Sequence, residues 1–381
     1  MNDTLVDLAA RPFGGAVVVA NDETYAEKEN LIRPDEPLFT PHTFGHKGQI
    51  YDGWETRRRR SPGYDWAIVR LGAPGFVRRA VVDTTHFTGN FPEECWLEGR
   101  YVDGYPDVAS LTGPVGWVPL TDRVRLEGNT QNLVDVAGGP LVTHVRLNIA
   151  PDGGVARLRI LGEVVPDPRR LAGAPLDLAA LQNGGQVADC SNRFYSPADH
   201  VLLPGQAQTM GQGWETRRRR GEGNDWLLIR LAGPGHLRQL IVDTTHFVGN
   251  APGAVRVRAI DADAHDSAAL SDPDHEGWIE LLGRRPLLPD TPHWFPVDPS
   301  ARATHLRVDV FPDGGLARVR AFGRLAGDGW EALVSHWWAG LPADAATSVL
   351  TGSGVPADDA AKLAGEPGRP VPHPLRDALA T

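Results

Sequence analysis

The chain has 381 residues and a net charge of −10 at pH 7, with 41% hydrophobic and 23% charged residues. This length suggests two or three domains, and the apolar fraction is typical of packed globular cores rather than collagen, coiled coils or disordered chains. The overall acidity argues against a nucleic-acid partner, although two runs of four arginines reopen that question locally.

Membrane and secretory features are not expected. The longest apolar stretch near the start, residues 16–20, is far shorter than the roughly 20 residues that cross a bilayer. Cys95 and Cys190 are too few for a disulfide framework and lack the paired spacing of a zinc site. We therefore expect a reducing, cytoplasmic location.

The chain contains two copies of one unit. GWETRRRR occurs at residues 53–60 and again at 213–220, and VVDTTHFTGN from Val81 matches IVDTTHFVGN from Ile241, both at an offset of 160 residues. A third pair of segments, each containing PDGG, follows at an offset of 161. Such a duplication predicts two domains and a C-terminal tail. Their predicted limits are residues 14–165, 185–325 and 326–381.

The first copy carries about ten extra residues between Leu31 and Gly53, and His42 and His46 lie among them. Their spacing would suit a metal ion only on a helix, which Pro41 and the neighbouring glycines disfavour. We therefore expect both histidines to lie in an exposed loop.

The GWETRRRR segment is the first candidate for chemistry. In an extended chain Glu55, Arg57 and Arg59 share one face, because side chains alternate along a strand. An arginine without an internal anion can hold a substrate carboxylate through two parallel hydrogen bonds. The alternative is a solvated charged strip with Glu55 as counter-ion, and this is what we expect for Arg59 and Arg60.

Short β-strands are predicted on both sides of a breaker at residues 73–75, over residues 66–71 and 79–84. Farther along, residues 143–147 and 155–161 alternate apolar with polar side chains. PDGG between them has the turn chemistry of a hairpin loop. We therefore predict a hairpin at this point.

Residues 81–87 are the second candidate, since they begin as a buried-looking strand and turn polar at Asp83, two threonines and His86. Burying such groups without partners would cost about 1–3 kcal/mol each. One interpretation is a hydrogen-bonded strand end at which Asp83 orders a neighbouring loop, and the other is a catalytic cluster. The duplication does not decide between them, because duplicated folding constraints also preserve structural residues.

Units of about 150 residues with this pattern predict an all-β fold of two tandem jelly-roll sandwiches. His144 and His305 precede alternating strands and are expected at the edge of the core rather than in a catalytic site. Residues 330–350 are rich in Ala, Leu and Trp. They predict one or two short helices in the tail, before a proline-rich end.

Several motifs, all echoed in the second half, resemble the allantoicase (allantoate amidinohydrolase) family. The resemblance covers nearly the whole chain to about Leu325 and leaves the tail out. The motifs that carry it are ANDETYAEKENLI (20–32), DGWETRRRR (52–60), YDW (64–66), IVRLG (68–72) and VDTTHFTGNFPE (82–93). The resemblance implies two galactose-binding-like jelly-roll domains, a homo-oligomer, and the hydrolysis of allantoate to ureidoglycolate and urea in purine catabolism.

The chemistry of this reaction suggests roles for the candidate residues. Releasing urea breaks a bond from the central carbon to nitrogen, so no serine or cysteine nucleophile is needed. An acid assists the departure of urea and a base assists the addition of water, and histidine suits both tasks. We assign acid–base chemistry to His86, with Asp83 or Glu55 orienting it or activating water. The substrate-binding candidates are Arg57 and Arg58 for the carboxylate and Thr85 and Asn90 for the ureido groups.

The second copy carries equivalents of this set. The equivalents are His246, Asp243, Glu215, Arg217 and Asn250. They would form a second site, share one with the first copy or serve as a scaffold, and we favour the first copy as the catalytic one. The sequence requires no cofactor and leaves a divalent metal open. The competing interpretations are a non-catalytic module that binds small anions or carbohydrates, and a hydrolase of a related ureido acid.

Overall fold

The computed structural model describes residues 5–366 and 368–379, apart from the side chain of Ser267. The described residues divide into two units, one of Leu5–Pro166 with the part of the tail between residues 336 and 379, the other of Asp167–Ser335. Each unit contains a jelly-roll β-sandwich, and the predicted all-β fold class of two tandem sandwiches is confirmed. The predicted limits of the domains stay predictions.

The first sandwich is made of thirteen described strands. They are β1 (Val6–Asp7), β2 (Ala16–Ala20), β3 (Phe44–Gly45), β4 (Gly48–Gln49), β5 (Trp54–Glu55), β6 (Asp65–Asp83), β7 (Glu94–Arg100), β8 (Val118–Pro119), β9 (Val124–Arg125), β10 (Gln131–Asp135), β11 (Val142–Ala150), β12 (Gly154–Val155) and β13 (Arg157–Val164).

The second sandwich repeats this order without the hairpin of β3 and β4, and with one strand, β19 (Ile279–Pro286), where the first has β8 and β9. Its described strands are β14 (Leu176–Asp177), β15 (Gln186–Cys190), β16 (Trp214–Glu215), β17 (Asp225–Asp243), β18 (Ala254–Ile260), β19 (Ile279–Pro286), β20 (Pro292–Pro296), β21 (Arg302–Phe311), β22 (Gly315–Leu316) and β23 (Arg318–Leu325).

Helices are short and lie mainly in the tail. The α-helices are α1 (Val108–Thr112), α2 (Gly327–Gly340), α3 (Ala343–Gly352), α4 (Ala357–Gly365) and α5 (His373–Leu379). Single 3-10 turns occupy Arg11–Phe13, Lys28–Ile32, Pro168–Arg170, Leu181–Asn183, Ala198–Leu202, Met210–Gln212, Ala262–Ala264 and Ser267–Leu270. No helix of the described ranges is long and apolar enough to cross a membrane.

One long strand, β6, connects the two layers of the first sandwich. Its residues 65–70 pair with β11 and β2, whereas residues 75–83 pair with β13 and β10. The predicted break at residues 73–75 is therefore wrong, because the strand continues through these residues and changes its partners. Glycine is required at residue 75, since a Cβ there would lie 2.4 Å from the carbonyl oxygen of Glu163.

PDGG is a crossover between layers and not a hairpin turn. The strands on either side of it, β11 and β13, do not pair with each other, and each pairs with a different half of β6. Gly153 has a φ of 142°, which favours glycine. The predicted hairpin is wrong because the same turn residues also suit a connection between stacked sheets.

The helical tail packs on the first sandwich. Trp337 and Trp338 are fully buried, and the Gly340 carbonyl accepts a hydrogen bond of 2.8 Å from the Leu141 amide. His336 Nε2 lies 2.9 Å from a carboxylate oxygen of Glu163. Helices α2 and α3 cover residues 330–350, for which one or two helices were predicted, and α4 and α5 follow where only a proline-rich end was predicted.

Candidate functional site

Two of the repeated motifs meet at one end of the first sandwich. Strand β5, within GWETRRRR, pairs with β12, which begins at the last glycine of PDGG, through Glu55 with Gly154 and Trp54 with Val155. The buried hydroxyl of Thr56 accepts a hydrogen bond of 3.1 Å from the Gly153 amide. The indole of Trp54 is fully buried, which fixes the strand against the core.

The third motif, residues 83–90, closes over the first two. Its Phe87 ring packs directly on Gly154, where an added Cβ would lie 2.0 Å from a ring carbon. The carbonyl of Asn90 accepts a hydrogen bond of 2.7 Å from the Gly154 amide. These contacts explain why the glycine pair of PDGG recurs in the second copy, where Gly315 lies equally close to Phe247.

Glu55 and Asn90 form the central contact of this arrangement. The Asn90 side-chain amide donates a hydrogen bond of 2.7 Å to Glu55 Oε1. Glu55 is 9% exposed and has no ion-pair partner among the described residues. Burial raises the pKa of its carboxyl group, and the hydrogen bond from Asn90 only partly opposes this. The side chain is therefore suited to carry a proton.

The second repeat contains the same pair in a more open setting. The Asn250 side-chain amide donates a hydrogen bond of 2.7 Å to Glu215 Oε1. Glu215 is half-buried, and Asn250 also lies 3.6 Å from the sulfur of Met210. The two copies therefore differ in how far they exclude water from the glutamate.

Asp83 and the two threonines make local hydrogen bonds at the end of β6. Asp83 Oδ1 accepts a bond of 2.8 Å from the Thr85 amide, and the Thr84 hydroxyl donates to the carbonyls of Glu127 and Thr130 at 2.6 and 3.0 Å. In the second repeat Asp243 holds Thr245 in the same way. These contacts fit the interpretation of a hydrogen-bonded strand end.

His86 holds the extra segment of the first copy. Its backbone has a φ of 71°, and its amide donates to the side-chain oxygen of Asn129 at 2.9 Å. Its Nε2 lies 3.1 Å from the carbonyl oxygen of Pro37, and its ring stacks on Phe39. His246 likewise has a φ of 71° and lies 2.9 Å from the carbonyl of Ala207. One ring nitrogen of each histidine is thus engaged with the backbone.

The arginines of GWETRRRR have separate roles. Arg57 is mostly exposed and pairs with Asp22 at 3.1 Å, and Arg58 is exposed without an ion pair among the described residues. Arg59 was expected to be solvated, but its guanidinium lies 2.7 Å from Asp65, which is buried. The expectation is wrong for Arg59 because the counter-ion is Asp65 rather than Glu55.

The extra residues fold over the first copy as a loop with the β3–β4 hairpin. The carboxylate of Asp52 anchors this loop, since it accepts from the buried guanidinium of Arg157 at 2.7 Å and from Arg33 at 3.1 Å. A cavity of about 380 Å³ opens between the loop and these anchors. His42 and His46 are exposed in the loop, as expected.

His144 is buried, and burial together with nearby arginines lowers its pKa to about 4. His305, its counterpart in the second repeat, has its pKa lowered to about 4 by the same cause. No group of three or more His, Cys, Asp or Glu side chains in the described ranges is arranged to hold a metal ion.

Of the predicted site residues, the structure brings Glu55 into contact with Asn90 and Asp83 into contact with Thr85. His86 and Arg57 contact other residues. Asp22 and Asn129 were missed, although they position Arg57 and His86. Asp22 could have been noticed because it aligns with Asn192 of the second copy, whereas no local signal marks Asn129.

Comparisons with known proteins agree with this arrangement. The protein-family model of the allantoicase repeat matches residues 6–165 and 176–326 of this chain. A probable allantoicase of Nocardia farcinica is 51% identical over 85% of this chain and 95% of its own length, and one of Streptomyces coelicolor is 45% identical over 87% and 88%. The crystal structure of allantoicase from Saccharomyces cerevisiae has a TM-score of 0.70 at 31% identity and covers 85% of this chain and 94% of its own. The chain belongs to the allantoicase family.

Proposed function

We propose that the chain hydrolyses allantoate to ureidoglycolate and urea, with Glu55 of the first repeat as the group that gives and takes the proton. Family membership supports the reaction. The observation that supports the residue is the burial of Glu55 beside a neutral amide, which raises the pKa of its carboxyl group. A carboxylic acid whose pKa is raised toward neutrality is an effective general acid.

The reaction proceeds in two steps. In the first, the bond from the central carbon to one ureido nitrogen breaks, its electron pair leaves with that nitrogen, and Glu55 supplies the proton that completes urea. The lone pair of the remaining ureido nitrogen forms a double bond to the carbon. In the second step water adds to this carbon, the double bond returns to nitrogen, and the Glu55 carboxylate accepts the proton that the water loses.

The neighbouring side chains would bind and orient the substrate. Asn90 holds Glu55 in one rotamer, and Thr85 offers a hydroxyl to a ureido group. We assign the binding of the substrate carboxylate to Arg58 rather than to Arg57, because Asp22 already neutralises Arg57. His86 remains a predicted acid–base residue, with Nδ1 as the nitrogen that the Pro37 carbonyl does not occupy.

We also propose a cytoplasmic location and a homo-oligomeric assembly. Cys95 and Cys190 both carry free thiols, which suits a reducing compartment. The proposal of a homo-oligomer rests on the family resemblance. Sedimentation of the purified chain would test it, and a monomer at micromolar concentration would contradict it.

The reaction is tested by incubating purified protein with allantoate and measuring urea and ureidoglycolate. We expect equal amounts of the two products. Faster urea release from ureidoglycolate than from allantoate would indicate a hydrolase of a related ureido acid instead. Binding of allantoate without any urea release would indicate a non-catalytic module.

A further inference from the structure

We propose that the second repeat carries a binding site for small ureido-carboxylates, built on Arg217 and Arg193, in addition to the catalytic site of the first repeat. The ligand class rests on the proposed function, whereas the site rests on the cavity and charges of the second repeat itself. The site would recognise the carboxylate of a ligand such as allantoate or ureidoglycolate.

The site is a cavity of about 420 Å³ lined by residues 193–199. Phe194 forms one wall, and the Arg217 guanidinium carbon lies 4.4 Å from the centre of its ring. The side-chain oxygen of Asn192 binds the amides of Phe194 and Arg217 at 2.9 and 3.2 Å. The Asn192 side chain therefore holds the segments of Phe194 and Arg217 next to each other.

The cavity adjoins the Glu215–Asn250 pair. The Tyr195 amide donates to the carbonyl of Glu215 at 3.4 Å, and the Glu215 amide donates to the Ser196 hydroxyl at 3.3 Å. Both Tyr195 and Ser196 line the cavity. A ligand bound against Phe194 would thus lie next to the GWETRRRR segment of the second repeat, which contains Glu215.

Arg217 has no carboxylate partner among the described residues, and this is where the two repeats differ. In the first repeat the counterpart of Asn192 is Asp22, whose Oδ2 lies 3.1 Å from Arg57 Nε. Substituting asparagine for aspartate keeps the backbone hydrogen bond to the arginine and removes the internal anion. A guanidinium stacked on an aromatic ring without a counter-ion is suited to bind a carboxylate.

The rest of the segment shows the same loss of negative charge. Residues 22–29 contain four carboxylates and one ammonium group, whereas residues 192–199 contain one guanidinium and one carboxylate. Glu23 of the first repeat corresponds to Arg193, whose Nε donates to the Cys190 sulfur at 3.1 Å. Asp199, the carboxylate that lines the cavity, is engaged by the Val187 amide at 3.1 Å.

Access also differs between the repeats. In the first repeat the β3–β4 hairpin borders the matching cavity, which has about 180 Å³, and Lys47 there lies 3.8 Å from Glu27. The second repeat has no counterpart of this hairpin among its described strands. Its cavity is larger and is not bordered by such a hairpin, and a small anion would enter it more readily.

The test uses N-carbamoylglycine, which has a carboxylate and one ureido group but lacks the second ureido arm that would leave. Its neutral amide, N-carbamoylglycinamide, is the matched ligand. Isothermal titration of the full chain measures binding of both. Because neither compound is turned over, the result does not depend on whether the chain releases urea from allantoate.

We expect Arg217→Ala to weaken N-carbamoylglycine binding at least tenfold or to remove one bound molecule per chain. Arg220→Ala changes an exposed arginine of the same motif that has no part in the proposed site, and as the matched control it should change the affinity less than twofold. Asn192→Asp keeps Arg217 but gives it the counter-ion found in the first repeat, and should weaken binding at least fivefold. Each variant should keep the melting temperature of the parent.

Two results would overturn the proposal. One is an affinity and stoichiometry in Arg217→Ala within twofold of the parent chain. The other is equal binding of N-carbamoylglycinamide, which would show that the carboxylate is not what the site recognises.

Discussion

Asn90 donates a hydrogen bond of 2.7 Å to Glu55, and the second repeat reproduces the same contact between Asn250 and Glu215. The two partners are 35 positions apart in each copy. In the first repeat this amide is the polar group that opposes the effect of burial on the Glu55 carboxyl. The pair therefore sets the proton affinity of the glutamate.

Asn90→Ala removes that hydrogen bond and should raise the pKa of Glu55 further, because the bond favours the ionised form. The pH at which activity falls on the alkaline side should then move upward by roughly one to two pH units, since a hydrogen bond to a charged group contributes about 1.5–3 kcal/mol. The pH dependence of kcat/KM for allantoate measures this shift. Asn250→Ala is the control, and an equal shift there would contradict the assignment to Glu55.

Alanine variants of Arg59 and Arg58 should separate an effect on folding stability from an effect on substrate binding. Arg59→Ala leaves the buried Asp65 without its guanidinium, and should lower the free energy of unfolding by about 2–3 kcal/mol. Arg58→Ala changes an exposed side chain, and should lower it by less than about 0.5 kcal/mol while raising KM for allantoate. Guanidinium denaturation and steady-state kinetics test both. Similar losses of stability in the two variants would show that the Arg59–Asp65 pair is not structural.

His86→Ala should loosen the extra segment of the first copy. It removes the contact with the Pro37 carbonyl and the stacking on Phe39. Limited proteolysis should cut between residues 33 and 50 faster than in the parent. If a group other than His86 moves the proton, kcat should decrease less than about tenfold. A decrease above a hundredfold, without faster proteolysis, would instead support His86 as the acid–base residue.

Acidification should destabilise the fold partly through His144 and His305. Their folded-state pKa of about 4 lies below the ordinary 6.5, so the unfolded chain binds more protons between these values and stability falls as pH is lowered. Each histidine should remove roughly 2 kcal/mol by pH 4.5. Burial raises the pKa of Asp7 to about 6, which acts in the opposite sense over the same range.

His144→Gln isolates the contribution of one of these histidines. The variant should lose less stability than the parent between pH 6.5 and 4.5, as measured by guanidinium denaturation at each pH. Equal losses in the two proteins would show that His144 is protonated without cost in the folded state.

The sequence predicted the duplication, the β-rich sandwiches and the helical tail, because these follow from identity between the copies and from side-chain periodicity. It did not predict the path of β6 or the crossover at PDGG. Proline and glycine at residues 73–75 and 151–154 mark a change of direction, but they do not say whether the next strand joins the same layer.

The candidate site was predicted by residue type rather than by contact. Glu55 and Asn90 were both named, yet their pairing depends on strands β5 and β12 and on the packing of Phe87 against Gly154. Arg59 was misassigned because its partner, Asp65, lies outside the motif. Contacts of this kind require the fold.

Urea release from allantoate by Glu55→Gln and Glu215→Gln, compared side by side, tests the central claim most directly. Glutamine keeps the shape of the side chain and removes the proton that it gives and takes. We predict that Glu55→Gln lowers kcat at least a hundredfold with an unchanged melting temperature, and that Glu215→Gln lowers it less than tenfold. Near-parental kcat in a folded Glu55→Gln variant would contradict the account.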